Sequence, residues 1–150
     1  MKVREAMNKT RPNSEAGFTL LEILLVVIII SMLVGVAVVQ LGGKVKEAKM
    51  TAVRDQIHNY ESALDLYELD NGMLPSTEQG LQALITQPTS SPAPGNWKGP
   101  YLKPPIIKKD QWNHDFVYRN PGQHNTTTYD LFSPGPDGQE GNEDDVGNWQ

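Results

Sequence analysis

The stretch "SEAGFTLLEILLVVIIISMLVGVAVV", residues 14–39, sets one carboxylate, Glu22, at the front of a run that is otherwise uncharged from Phe18 to Val39. About 22 residues at 1.5 Å each give roughly 33 Å of helix, against about 30 Å of bilayer hydrocarbon. The run is therefore long enough to span. A carboxylate in a spanning segment costs roughly 2.5–3.5 kcal/mol at mid-bilayer, so Glu22 calls for a partner and a role. An ordinary secretory signal has an apolar region of about 7–15 residues behind a basic, acid-free start, and both the length and Glu22 depart from that. One rival reading stays open. Gly35-Val36-Ala37 is a small-x-small triplet at which a signal peptidase could cut, releasing a soluble chain that begins at Val38.

Working outward, the chain of 150 residues has room for this segment and one small domain. It has no cysteine, so an exported domain near the lower size limit needs another staple, and a metal is the natural candidate. The net charge of −5 and the lack of a basic patch with interleaved aromatics argue against a nucleic-acid partner. Basic residues lie on both sides of the span, Lys2, Arg4, Lys9 and Arg11 before it and Lys44, Lys46, Lys49 and Arg54 after it, so charge alone leaves its orientation undecided.

The polar leader ends in Gly17, and "GFTLLE" follows it into the apolar helix. In these six residues the chain resembles the type IV pilin family. The resemblance implies a prepilin leader, residues 1–17, removed by a membrane-embedded prepilin peptidase between Gly17 and Phe18, with Phe18 N-methylated. It further implies a transmembrane helix over 18–41 that stays on the product as the assembly device, and a periplasmic domain over 42–150. In that family the glutamate at the position of Glu22 neutralises the amine of a neighbouring subunit's first residue, here Phe18. The residues allow a local role as well: Thr19-Leu20-Leu21-Glu22 fits the S/T-x-x-E capping box at a helix start.

Past the span, Val53, Ile57, Tyr60, Leu64 and Tyr67 are spaced 4, 3, 4, 3 and predict an amphipathic helix that ends at Asn71-Gly72. Gly42 and Gly43 are a weak point between the two halves, and Val39 stands where many relatives carry proline, so a plain helix tolerating two glycines is an equal reading. A short helix is expected at about 77–85, because Ser76-Thr77-Glu78-Gln79 fits an N-terminal cap. The proline-rich stretch 86–105 reads as a loop anchored by Trp97 and Tyr101. Asp115 to Arg119 and Thr127 to Phe132 read as short strands across an Asn120-Pro121-Gly122 turn. The expected fold class is α+β and type IV pilin-like: a long N-terminal helix, half transmembrane and half amphipathic, on a small antiparallel sheet with a calcium-binding C-terminal loop.

That loop is "DLFSPGPDGQEGNEDDVGNW", residues 130–149, in which Asp137, Glu140, Glu143, Asp144 and Asp145 are interrupted by Gly138 and Gly141. Such a loop can fold carboxylates and carbonyls around a cation, and a solvated acidic tail is the alternative. It lacks the EF-hand pattern, since Gln139 and Gly141 take the third and fifth places from Asp137. With "YELDNGMLPSTEQGLQALITQP" at residues 67–88, it makes the chain resemble the major pseudopilins of the bacterial type II secretion system from Gly17 to about Trp149. One departure is Asp110-Gln111-Trp112-Asn113, where that family usually has Asp-Pro-Trp-Gly, and it reads as a turn variant. The resemblance implies Ca2+ held by the side chains of Asp137, Asp144 and Asp145 and by backbone oxygens of about Pro134, Asn142 and Val146.

It also implies a self-assembling helical homopolymer, a periplasmic pseudopilus anchored by a single pass in the bacterial inner membrane. Its partners would be other copies, minor pseudopilins, the prepilin peptidase, an inner-membrane assembly platform and membrane lipid. An enzyme is not expected. His58, His114 and His124 have neither a cysteine nor a Gly-x-Ser-x-Gly elbow to pair with, and Glu61, Asp65 and Glu68 read as a solvated helix face. The alternatives are a secreted or anchored monomeric calcium-binding module, or another pilin-like filament subunit.

Overall fold

The computed structural model describes residues 17–150, with the side chains of 36–42 outside the description. The leader residues 1–16 therefore lie outside it, as do the side chains of Val36, Ala37 and Val39, while the backbone from Val36 through Gly42 and Gly43 is helical. The elements are helix α1 (Leu20–Asn71), a 3-10 helix (Gly80–Leu84), and strands β1 (Val117–Arg119), β2 (Asp130–Ser133) and β3 (Val146–Gly147). By contacts the chain divides into residues 1–42 and 43–150.

In the first unit α1 begins behind Thr19, whose Oγ1 accepts the Glu22 amide at 3.2 Å while its carbonyl accepts Ile23 N–H. These bonds satisfy donors that a helix start leaves free. The apolar side chains from Leu20 to Val34 are exposed all round, as a helix without a core face would leave them. Among the described residues no helix is long and apolar enough to cross a membrane. The apolar stretch with described side chains stops at Gly35, and the sequence carries the run on to Val39.

The second unit is organised on the other half of α1. Val53, Ile57, Tyr60, Leu64 and Tyr67 are all buried, as their spacing predicts, and Ala63 joins them. They pack with Leu81 and Leu84 of the 3-10 helix, Leu102, Phe116, and Tyr118, Leu131 and Val146 of the sheet. Each fully buried aliphatic side chain contributes about 1.5–3 kcal/mol. The helix stops where expected, with Gly72 at φ 71° and its amide on the Glu68 carbonyl.

The Ser76–Gln79 box forms: Gln79 Oε1 accepts the Ser76 amide at 3.0 Å and Ser76 Oγ accepts the Gln79 amide at 3.3 Å. Residues 77–79 are nevertheless a turn, and only Gly80–Leu84 is helical, as a 3-10 helix. Gly80 has φ 57°, which an α-helix spanning 77–85 does not accommodate. Trp97 Nε1 donates to the Ala83 carbonyl at 2.9 Å and the Tyr101 hydroxyl donates to Asp70, so both anchors of the 86–105 loop hold.

The sheet is antiparallel in the order β1-β2-β3. It differs from expectation in three ways, the first being that β1 starts at Val117 rather than Asp115. Strand β2 starts at Asp130 rather than Thr127, because the buried Asp130 carboxylate accepts the amides of Gln123, His124 and Asn125 at 2.6–2.9 Å and draws the preceding residues into a loop. Strand β3, unforeseen, pairs Val146 with Ser133 and Gly147 with Phe132.

Burial pushes the Asp130 carboxyl up, but the amides of His124, Asn125 and Gln123 outweigh it and hold the group below the usual carboxylate value. Its contribution is thus fully present above the unfolded value near pH 3.9, and is lost as pH falls through the lower folded value. Asp130→Asn, which trades a charged acceptor for a neutral one, is expected to lower stability at pH 6 by about 2–3 kcal/mol. Urea titrations at pH 6 and pH 3 check this: the gap between wild type and variant should shrink at pH 3, and an equal gap at both would count against it.

Candidate cation loop and N-terminal assembly segment

Pairing of Ser133 with Val146 closes residues 134–145 into a loop between β2 and β3. Gly135, Gly138 and Gly141 have φ of 69°, 70° and 87°, conformations that glycine adopts without cost, and they wind the loop tightly. At the neck a Cβ on Gly135 would collide with the Asp144 carbonyl, so the two limbs of the loop touch there.

The five acids are not equivalent. Glu140 pairs with Arg119 on β1. Asp137 Oδ1 accepts the Gln139 amide at 3.0 Å and Oδ2 accepts the Asn142 side-chain amide at 2.9 Å. The Gln139 amide is the main cause that holds the exposed Asp137 carboxyl below its ordinary value. Asn142 Oδ1 accepts the Asp144 amide at 2.8 Å, while the Asp144 and Glu143 side chains are exposed.

Asp145 is the buried member, 6% exposed. Its Oδ2 accepts the Gly141 amide at 2.7 Å, and its Oδ1 is buried with no hydrogen-bond partner among the described residues. A buried carboxylate oxygen left unpaired is costly, and a ligand of positive charge would offset that cost. Of the six positions implied for calcium, Pro134 and Val146 sit at the neck, and Asn142, Asp144 and Asp145 lie on the returning limb. Asp137 lies on the outgoing limb against Asn142. Among the described residues no three His, Asp or Glu side chains gather as a metal cluster. A cation here would draw on backbone oxygens, and an all-oxygen donor set suits a hard ion.

The loop rests on a turn whose role the sequence did not disclose. Asp110 is buried; its Oδ1 accepts the amides of Trp112 and His114 at 2.9 and 2.8 Å, and its Oδ2 accepts the Ser133 hydroxyl at 2.6 Å. Asn113 has φ 73°, the position where the resembled family has glycine, and asparagine is among the few other residues that take this conformation readily. The turn read at 110–113 is present, and what its reading missed is the Asp110 cap that the left-handed Asn113 position could have signalled.

At the N-terminal segment, Gly17 and Phe18 precede the helix and Phe18 is 78% exposed. Glu22 is exposed, and its carboxylate has no hydrogen-bond partner among the described residues. Only the Thr19 half of the capping box is made, by the Glu22 amide. Of the remaining polar residues, His58 and Glu61 pair at 2.9 Å on the helix surface, Asp65 and Glu68 are exposed, and the His124 ring stacks on Trp149.

The family model for type II secretion system (T2SS) protein G matches residues 40–149, and that for the prokaryotic N-terminal methylation motif matches residues 12–38. The chain is 48% identical to type II secretion system core protein G of Pectobacterium carotovorum subsp. carotovorum, over 90% of this chain and 85% of the relative. It is 46% identical to the Escherichia coli (strain K12) protein of that name, over 91% and 92%. The crystal structure of the major pseudopilin from the type 2 secretion system of enterohaemorrhagic Escherichia coli superposes with a TM-score of 0.65 at 42% identity, covering 71% of this chain and 87% of that one. With a type IV pilin-like helix-and-sheet fold and a methylation motif at its N-terminal segment, the chain belongs to the type II secretion system protein G family, the major pseudopilins.

Proposed function

We propose that the chain is inserted in the bacterial inner membrane by its apolar helix, cleaved between Gly17 and Phe18, and polymerised into a periplasmic pseudopilus. In the polymer Glu22 of one copy neutralises the Phe18 amine of the next. The observation that carries this reading is the division of labour at the helix start. Thr19 meets the capping need through its hydroxyl, which leaves the Glu22 carboxylate available in an apolar helix. A charged group there gains most from a partner of opposite charge away from water. The resemblance to pilin-like subunits adds the remaining partners of this proposal: the prepilin peptidase, minor pseudopilins, an assembly platform and membrane lipid.

Maturation tests the first step. Gly17 has no neighbour within 4 Å, so the expected effect of a side chain there is on the peptidase and not on the fold. Gly17→Ala should slow cleavage at least tenfold, and a bulkier residue should leave full-length precursor in the inner-membrane fraction. Mass spectrometry checks this; efficient cleavage of a bulky variant would refute the assignment of the scissile bond.

The second part of the proposal is that the 134–145 loop binds one Ca2+. Supporting it are the unpartnered Asp145 Oδ1, the left-handed glycines that wind the loop tightly, and an oxygen-only donor set. Asp145, Asp144 and Asp137 would supply carboxylates, with backbone oxygens from the neck and the returning limb. The ion would supply the positive charge that a loop of clustered acids lacks, and would tie β2 to β3 in a domain without disulfides. Function of the loop is thereby structural: it stiffens the periplasmic unit that the filament must carry.

A further inference from the structure

We infer that His114 is the positioning residue of the cation loop, holding its outgoing limb in the shape that the returning limb requires. The inference rests on the calcium reading above. His114 lies at the end of the Asp110 turn and is half-buried, outside the implied ligand set. Its Nδ1 is 2.8 Å from the Gly135 carbonyl oxygen. A carbonyl only accepts, so Nδ1 carries the proton and donates. The amide of the same glycine donates to Ser133 Oγ at 3.1 Å, and Ser133 donates in turn to Asp110. Both backbone groups of Gly135 are therefore held by the 110–114 turn, directly or through Ser133.

Gly135 is also where the limbs touch, since its Cα faces the Asp144 carbonyl. The His114 ring reaches one step further along the loop. A Cβ built on Gly138 would lie 2.9 Å from His114 Nε2, so the ring packs flush against the second left-handed glycine. One side chain thus grips Gly135 and Gly138, the two residues that flank the 136–137 bend carrying Asp137. Partners that orient metal ligands without touching the metal typically change affinity 10- to 100-fold when removed.

Calcium titration calorimetry on the mature chain, residues 18–150 in detergent micelles, tests this with His114→Phe and His114→Asn. The Phe variant keeps a ring but cannot donate, whereas the Asn amide places a donor at the same bond distance from the backbone as Nδ1. His114→Phe should weaken calcium binding at least tenfold and His114→Asn should restore most of it. Ring 15N shifts of the wild type should show the proton on Nδ1. Wild-type affinity in His114→Phe, no rescue by Asn, or a proton on Nε2 would overturn the inference, and the tautomer decides even if the Phe variant does not fold. Absence of calcium binding by the wild type would overturn the calcium reading and this inference with it.

Discussion

Glu22→Ala is expected to abolish pseudopilus assembly while leaving insertion and cleavage intact. The helix start does not depend on the carboxylate, because the cap uses Thr19 Oγ1 and the Glu22 backbone amide, which alanine retains. Insertion becomes easier, since alanine in place of a carboxylate removes a cost of roughly 2.5–3.5 kcal/mol at the bilayer centre. Assembly suffers in the opposite direction. Each incoming Phe18 amine would enter an apolar site without its counter-charge, and removing one partner of a buried charge pair costs about 3–5 kcal/mol. That is more than a hundredfold in each association step, so sheared-filament yields should fall below detection. Glu22→Gln should behave nearly as badly, since a neutral amide cannot compensate the amine. Normal filaments from either variant would return Glu22 to a local role at the helix start.

The second large effect is expected on the unit of residues 43–150. Calcium at about a hundred times its dissociation constant should stabilise it by about 2.7 kcal/mol, which corresponds to roughly 10 °C or more in melting temperature for a domain of this size. Chelation should remove that gain and open the loop to proteases between Gly135 and Asp145. Asp145→Ala removes the buried oxygen that has no protein partner, and with it the calcium-dependent difference. The absolute stability of this variant reports less, because the Gly141 amide loses its acceptor at the same time. Asp144→Ala should act alike through a carboxylate that faces solvent without the ion. An identical melting temperature in calcium and in chelator would leave these acids as a solvated loop.

What could be read from the sequence was whatever local periodicity or local chemistry dictates. The 4, 3, 4, 3 spacing from Val53 to Tyr67 places those five side chains in the core because a helix allows no other common face. The Ser76–Gln79 exchange and the stop at Gly72 follow from backbone groups within three or four residues. The features that escaped are set by contacts at longer range. Strand β3 is two residues long, follows two acids and ends in a glycine, so it carries no alternation; only its pairing with β2 makes it a strand. Asp130 reads as a polar residue in a strand, yet it organises the loop before it by capturing three amides five to seven residues away.

The candidate site divides in the same way. Clustered acids and glycines make a cation loop legible as composition, but composition does not distinguish Glu140, bound to Arg119, from Asp145, buried beneath the loop. That distinction comes from β2–β3 pairing and from which limb each residue occupies. Asp110 and His114 gave no signal as a pair, because their joint hold on Ser133 and Gly135 spans 21 to 23 residues of sequence.

The central claim is that the chain keeps its apolar helix and assembles through it, and the intact mass of the subunit in sheared pseudopili tests this most directly. The predicted result is a single species beginning at Phe18 and carrying one N-methyl group. A mature chain beginning at Val38, recovered as a soluble monomer, would contradict it.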